Sequence, residues 1–162
     1  MSDRKMVEVI IDAGVDAHGL PDEGAVTRAA VLACQMAGFK DGPPSLCVRF
    51  ADDALVRQLN RQWRGRDEST DVLSFPMQDG PAFDVNEYLG DIMVSIPFVY
   101  GEAQRLGLDT AAHVLHLSVH ATLHLLGFTH DGNEDAAVMQ GLERQVMYSL
   151  GLHDPYAEVA AG

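Results

Sequence analysis

Residues 109–130, DTAAHVLHLSVHATLHLLGFTH, predict a long helix and the turn that ends it, and the other predicted elements are placed around this segment. Asp109 can cap a helix that begins at Thr110, because an aspartate side chain accepts hydrogen bonds from the first free amide groups. The apolar residues continue to Leu126, and Gly127 stands where a glycine commonly follows the end of a helix. Five of the seven histidines lie here, at positions 113, 116, 120, 124 and 130. The concentration of one residue type in one helix and its turn indicates a chemical role.

Three of these histidines are spaced to hold one metal ion. His120 and His124 lie one helical turn apart, which places two imidazole groups on the same face of the helix. Gly127 lets the chain reverse, so His130 can return as a third ligand. Three neutral imidazoles with an open fourth position are typical of a catalytic zinc site. The pattern HxxxHxxGxxH therefore predicts one zinc ion (Zn²⁺) bound by His120, His124 and His130.

Each histidine also has a plainer interpretation. A single histidine on a helix more often faces solvent or packs against its neighbours than binds a metal. His116 and His120 are also four residues apart, but no third histidine follows them at the distance of a turn. We therefore expect His113 and His116 to be packed, and His153 to lie on the surface.

The residue after the first ligand bears on the reaction. Metzincin proteases share this histidine spacing and place a glutamate there, which serves as the general base of peptide hydrolysis. This chain has Ala121 at that position. An alanine leaves metal binding intact but removes the carboxylate that takes a proton from water. Ordinary proteolysis is therefore disfavoured, and a zinc-dependent peptide or amide hydrolase is kept as an alternative.

Turn, cap and periodicity signals predict four strands and four further helices around this segment. The predicted strands are Val7–Ile11, Leu46–Phe50, Asp71–Phe75 and Leu89–Ser95. The predicted helices are Asp22–Ala37, one from an Asp52 cap to about Trp63, one from a Ser95 cap to about Gly107, and Glu134–Leu150 after an Asn133 cap. This order favours an α+β fold, in which a single domain (residues 1–162) packs about five helices on a mixed sheet of about four strands. The metal site lies on the late helix and the turn after it.

Length and composition set the remaining limits. A chain of 162 residues with 47% apolar residues can bury a core without a structural metal, so a metal here is suspected of chemistry. Two cysteines are too few for a disulfide framework and indicate free thiols in a reducing compartment. The first eight residues lack the apolar core of a signal peptide, and no apolar run approaches the ~18 residues of a membrane span. We expect a cytoplasmic protein without a membrane partner.

The arginines change what the net charge implies. A net charge of −13 argues against a nucleic-acid partner, but residues 49–66 hold five arginines against two aspartates, a local sum of +3. Arg57, Arg61 and Arg64 follow one face of the second predicted helix, and Arg66 lies just beyond it. Arginine binds phosphate through two donors, so this stripe beside a metal favours phosphodiester hydrolysis. The alternative is a solvated helix face whose arginines pair with nearby acids such as Asp67 and Glu68.

Four segments together resemble one known family. They are NRQWRGRDESTDVLSFP (residues 60–76), LGDI (residues 89–92), HATLHLLGFTH (residues 120–130) and LGLHDPY (residues 150–156). They are similar to the YbeY family, the bacterial zinc-dependent endoribonucleases of ribosomal RNA maturation. The resemblance places the family's zinc ligands on the three histidines already chosen and its important arginine on Arg64. The chain departs from the family in having Ala121 for a usual glycine and Thr129 for a usual aspartate; Asp131 lies near enough in sequence to replace that carboxylate.

The resemblance implies a single-strand-specific, metal-dependent endoribonuclease of ribosomal RNA processing and ribosome quality control, acting with the small ribosomal subunit. Phosphodiester bonds would be hydrolysed by zinc-activated water, with His120 and Arg64 as the catalytic residues. Further substrate contacts are expected from the remaining stripe arginines and from cleft residues: Arg57, Arg61, Arg66, Thr70 and Ser74. A ribosome-binding factor with a structural zinc is the other alternative.

Overall fold

The computed structural model describes residues 6–40 and 42–157, so both ends of the predicted domain and Asp41 lie outside the described ranges. The elements in chain order are β1 (Val7–Ile11), α1 (Glu23–Met36), β2 (Ser45–Ala51), α2 (Asp53–Arg64), β3 (Val72–Pro76), β4 (Tyr88–Ser95), α3 (Ile96–Leu106), α4 (Thr110–Leu125) and α5 (Asn133–Ser149). Each predicted strand and helix is found, with ends shifted by at most one residue. Among the described helices, none is both long and apolar enough to cross a bilayer.

The four strands form one mixed sheet. Their order is β1-β2-β4-β3, in which β2 pairs in parallel with both β1 and β4, while β3 runs antiparallel to β4. Parallel neighbours need crossover connections, which here contain α1 between β1 and β2, and α2 and β3 between β2 and β4. The predicted α+β class is therefore confirmed.

The main core lies between one face of the sheet and helices α1, α4 and α5. Strand residues alternate in direction, so every second residue of β2 points into this core. Leu46, Val48 and Phe50 are fully buried there. The predicted small-residue face of α1 meets them: Val26, Ala29, Ala30 and Ala33 are all buried.

The opposite face of the sheet is covered by fewer helices. Of the described helices, α2 is the one that packs there, over a small cluster made of Ala51, Val56, Leu73 and Met93. Leu55 and Leu59 pack partly buried against this cluster. Because α2 covers one end of this face, the part formed by β1, β2 and the ends of β3 and β4 stays open.

Gly90 marks a close approach between β3, β4 and α4. The pairing of β2 with β4 shifts by one residue immediately before Gly90, which marks a β-bulge. Gly90 has φ +143°, and a Cβ there would collide with the carbonyl oxygen of Phe75 and touch Leu125. Glycine is therefore required at this point, where the sheet meets the end of the histidine-bearing helix.

Candidate metal centre

Helix α4 and the turn after it bring three imidazoles together. Asp109 caps the helix by accepting a hydrogen bond from the Ala112 amide at 3.1 Å. The Nε2 atoms of His120 and His124 lie 3.1 Å apart. Gly127, with φ +102°, turns the chain back so that the His130 ring stands 5.0 Å from the His124 ring, centre to centre.

One ring nitrogen from each of these three histidines lies within 4.8 Å of the other two. The predicted cluster is therefore formed, and its geometry can hold a metal ion. The three imidazoles and the cavity around them are called the metal cleft below.

The second nitrogens of two ligands are held by neighbouring groups. His120 Nδ1 donates to Glu143 Oε1 at 3.1 Å, and His124 Nδ1 donates to the carbonyl oxygen of Phe128 at 2.9 Å. Because both Nδ1 atoms are protonated, both Nε2 atoms carry lone pairs, and these two atoms lie 3.1 Å apart. A cation between the two Nε2 atoms stabilises this arrangement. The donor set therefore fits a metal ion.

Burial keeps His124 in the form that binds metal. Desolvation is the larger cause and the positive charge that His120 would carry is the second, and together they lower the pKa of His124 to about 4. The hydrogen bond to Phe128 opposes this shift only in part. Neutral imidazole is the ligand form of histidine, so no proton has to be displaced from His124 at neutral pH.

Glu143 is a component of the site that the sequence did not reveal. This α5 residue is 0% exposed, and besides His120 it accepts hydrogen bonds from His116 Nε2 at 2.7 Å and from the Tyr156 hydroxyl at 2.9 Å. Burial alone would raise the pKa of Glu143, but the bonds from His116 and His120 outweigh it and lower the pKa to about 2. Its position four residues after Met139, within an apolar stripe, was the available signal, because buried acids are rare unless paired.

Of the three other histidines whose positions are predicted above, two follow the prediction and one does not. His113 is buried with its Nε2 2.5 Å from a Glu102 oxygen, and His116 packs edge-on against the Tyr156 ring. The prediction of a surface position for His153 is wrong: its ring lies 6.5 Å from the His116 ring and its Nε2 is buried. The reason is that the chain folds back onto α4 after α5.

The predicted catalytic Arg64 and two of the five predicted substrate residues, Thr70 and Ser74, line the same cavity as the histidines. This cavity has a volume of about 560 Å³, and its walls include Arg64, Thr70 and Ser74. The Arg64 side chain donates to the Ser74 carbonyl oxygen at 3.4 Å, which directs the guanidinium along the wall. Thr129 and Asp131 also line the cavity.

The other stripe arginines lie outside the cavity. Arg57 pairs with Asp67 at 2.9 Å, and Arg66 lies 3.9 Å from Glu68, both as exposed pairs. Arg61 is exposed on α2. Of the arginines in the described ranges, Arg64 is the one in the cavity wall, because only the last turn of α2 borders the metal cleft.

Asp71 adds a carboxyl group to the cleft wall. Burial raises the pKa of Asp71, and the neighbouring Glu102 carboxyl, to which it is hydrogen-bonded, raises it further. The Val72 amide donates to Asp71 at 2.7 Å and opposes this shift. Asp71 therefore holds a proton to a higher pH than an ordinary aspartate.

Fold and site together define an α+β protein whose three-imidazole cluster could hold a metal ion and opens into a cavity with an arginine in its wall. Residues 23–151 match the family described as Endoribonuclease YbeY. The chain therefore belongs to the YbeY family, as its four motif segments indicate.

Curated relatives agree with this assignment, and a solved structure agrees with the fold. Proteins named Endoribonuclease YbeY from Alkalilimnicola ehrlichii and Azorhizobium caulinodans are 46% and 40% identical to this chain. The first alignment covers 85% of this chain and 83% of the relative, and the second covers 94% and 99%. The solution structure of TM1509 from Thermotoga maritima is 20% identical with a TM-score of 0.56, over 94% of this chain and all of that one. This last likeness supports the fold alone.

Proposed function

We propose that this protein is a metal-dependent endoribonuclease that hydrolyses phosphodiester bonds of single-stranded RNA. Its membership of a family described as Endoribonuclease YbeY supports the reaction class. The observation that carries the proposal is the placement of Arg64 in the wall of the cavity that holds the three imidazoles. We further propose that the substrate is ribosomal RNA, that the small ribosomal subunit is the partner in processing and quality control, and that the protein acts in the cytoplasm.

His120, His124 and His130 would hold one zinc ion. Zn²⁺ accepts three imidazole nitrogens and keeps a fourth position open in catalytic sites. When bound, zinc supplies a Lewis acid that polarises a phosphoryl oxygen and lowers the pKa of water. Glu143 and the Phe128 carbonyl orient two of the three imidazoles by accepting their Nδ1 protons.

Arg64 acts on the phosphate from the cavity wall. Its guanidinium presents several donors in one plane, which suits the oxygens of a phosphate and the negative charge that grows as the attacked phosphorus gains a fifth bond. Thr70 and Ser74 lie in the same wall and offer further contacts to the substrate. Arg57, Arg61 and Arg66 are placed to contact RNA only beyond the cavity.

Substitution of the two kinds of catalytic residue tests this proposal. Arg64→Ala and His124→Ala are each expected to abolish cleavage of a single-stranded RNA, while Arg64→Ala binds as much metal as the unchanged protein. Arg28→Ala, which removes an exposed arginine of α1, is the matched control and should cleave normally. Cleavage that survives both substitutions would overturn the proposal.

The two alternatives make different predictions. Ala121 lines the metal cleft where a metzincin-type site would have its glutamate, so the protein is expected to leave casein intact. A structural zinc would be needed for folding, whereas the main core here consists of apolar side chains from the sheet and the helices, and none of the described histidines belongs to it. A chelator should therefore stop RNA cleavage without unfolding the protein, as followed by circular dichroism.

A further inference from the structure

A second cavity lies on the open face of the sheet, next to the metal cleft. Its volume is about 740 Å³, and its walls come from the end of α2 and from all four strands. The walls are mainly apolar, and they include Ile10, Trp63, Phe75, Met77 and Met93. This cavity is called the sheet groove below.

The sheet groove and the metal cleft share one wall. Arg64, Ser74 and Pro76 line both cavities. A phosphate held by Arg64 therefore lies at the boundary between them. When one phosphate of a nucleic-acid strand lies in the metal cleft, the nucleotide next to that phosphate can reach the sheet groove.

The exposed side chains of the sheet groove suit a flat, partly apolar ring. Trp63 is 66% exposed and Met77 is 65% exposed, although both lie beside a cavity that could cover them. Polar groups stand among the apolar ones: Asp91 accepts a hydrogen bond from the Tyr88 hydroxyl, and Arg49 pairs with Asp12 at 2.6 Å. A nucleobase has this combination of an apolar face and a polar edge, and bases commonly stack on aromatic side chains.

Charge also favours an RNA unit over an apolar protein segment. The chain carries a net charge of −13, yet the groove holds Arg64 at its boundary with the metal cleft, while Arg49 is paired with Asp12 and Asp91 is hydrogen-bonded to Tyr88. An apolar peptide side chain forms no ion pair with Arg64. A nucleotide can bind Arg64 through its phosphate and the apolar walls of the groove through its base.

We propose that the sheet groove is a base-binding subsite, in which Trp63 stacks on the nucleobase next to the phosphate held by Arg64. This inference rests on the proposed function, since it assigns the groove to the same RNA. A paired base is stacked inside a duplex and cannot enter the groove, so the subsite also accounts for a preference for single strands.

Fluorescence tests the subsite without any cleavage. Trp63 is the only tryptophan, so the intrinsic emission of the protein reports on the groove. Adenosine 5′-monophosphate is expected to quench this emission in a saturable way, while ribose 5-phosphate at the same ionic strength leaves it unchanged. Neither compound contains a phosphodiester bond, so the result is independent of catalysis. Equal responses to both compounds, or no response to either, would overturn the subsite.

Substitutions give a second readout. Trp63→Ala is expected to raise KM for single-stranded RNA roughly 5- to 100-fold, as the loss of one base–aromatic stack predicts, with a smaller change in kcat. Met77→Ala keeps the tryptophan and should weaken quenching by adenosine 5′-monophosphate. Tyr148→Ala, which removes an aromatic residue that is 86% exposed on α5, is the matched control.

The two proposals fail separately. An unchanged KM in Trp63→Ala, with cleavage still abolished in Arg64→Ala, would overturn the subsite and leave the proposed function standing. Quenching of Trp63 by an apolar peptide but not by adenosine 5′-monophosphate would assign the groove to a protein partner and contradict the proposal.

Discussion

Glu143 orients the metal cluster through its hydrogen bond to His120. The negative charge of the Glu143 carboxylate is therefore expected to contribute to metal affinity. Glu143→Gln keeps the size of the side chain but replaces the carboxylate that accepts the Nδ1 proton of His120. We expect metal affinity to fall roughly 10- to 100-fold, as is usual when a group that orients a ligand is changed. A competition titration against a chromophoric chelator measures this.

The matched control for that change is Glu102→Gln. Glu102 also binds a histidine of α4 through a short hydrogen bond, but that histidine, His113, lies outside the metal cluster. Its substitution should leave metal affinity unchanged. An equal loss of affinity in both variants would mean that Glu143 acts through general stability instead of through His120.

Asp71 should make stability depend on pH. Because its pKa is raised by burial and by Glu102, the stabilisation that its proton provides is complete below the unfolded pKa of about 4 and is lost as pH rises through the folded value. Asp71→Asn carries no charge at any pH, so its melting temperature relative to the unchanged protein should rise between pH 4 and pH 8. The exposed Asp79→Asn is the control and should show no such trend.

At the level of helices and strands, the sequence predicts where each element begins and ends. It predicts less well which residues the side chains of an element contact. Asp22 and Asp52 cap their helices by accepting amide hydrogen bonds at 2.8 Å. Such caps depend on residues that are close together in the sequence, so the sequence predicts them. The cluster of three ligand histidines is predictable for the same reason, since one helix and the glycine after it determine their positions. By contrast, Glu143 reaches His120 across 23 positions: the periodicity of α5 indicates that Glu143 is buried, but it does not indicate which residue Glu143 contacts.

The arginine stripe shows the same limit. Spacing placed Arg57 and Arg64 on one face of α2, but only the packing of the helix end against β3 decides which of them reaches the metal cleft. Arg57 instead meets Asp67, an acid in the loop after the helix. Sequence alone named this pairing as an alternative and could not choose between the two.

Gly90 should be the glycine of β4 that tolerates no side chain. Gly90→Ala is expected to destabilise the protein by roughly 2–3 kcal/mol, because the new Cβ meets the Phe75 carbonyl and the positive φ is strained. Gly141→Ala is the matched control: this α5 glycine has open space around its Cα, and alanine favours helix by up to about 1 kcal/mol. Urea unfolding of both variants measures the difference, and a neutral Gly90→Ala would contradict the close approach.

The molecule as a whole carries a net charge of −13, and Arg64 is the one arginine of the described residues in the wall of the metal cleft. Few phosphates can be neutralised by Arg64 and its neighbours, so we expect RNA without a partner to bind with a Kd in the micromolar range or weaker at physiological salt. The logarithm of the binding constant should fall with the logarithm of salt concentration at a slope near −1, since single strands lose about 0.7 per phosphate contacted. Fluorescence anisotropy of a labelled RNA measures both quantities.

Nanomolar binding to arbitrary RNA would contradict this expectation. If the small ribosomal subunit is the partner, as proposed above, weak binding by the protein alone leaves room for contacts with that subunit to add to the affinity. The net charge of −13 therefore limits unassisted binding without excluding an RNA substrate.

The bond from the Tyr156 hydroxyl to Glu143 has a consequence for synthesis of the chain. A ribosome releases residues in order, so the three imidazoles leave the exit tunnel before α5, and α5 leaves before Tyr156. A partly made copy therefore has its metal ligands before it has the carboxylate that orients His120 and the hydroxyl that binds this carboxylate. We expect a nascent chain to complete the contacts around Glu143 only after Tyr156 has been added and has left the tunnel, which is later than the point at which the three imidazoles emerge.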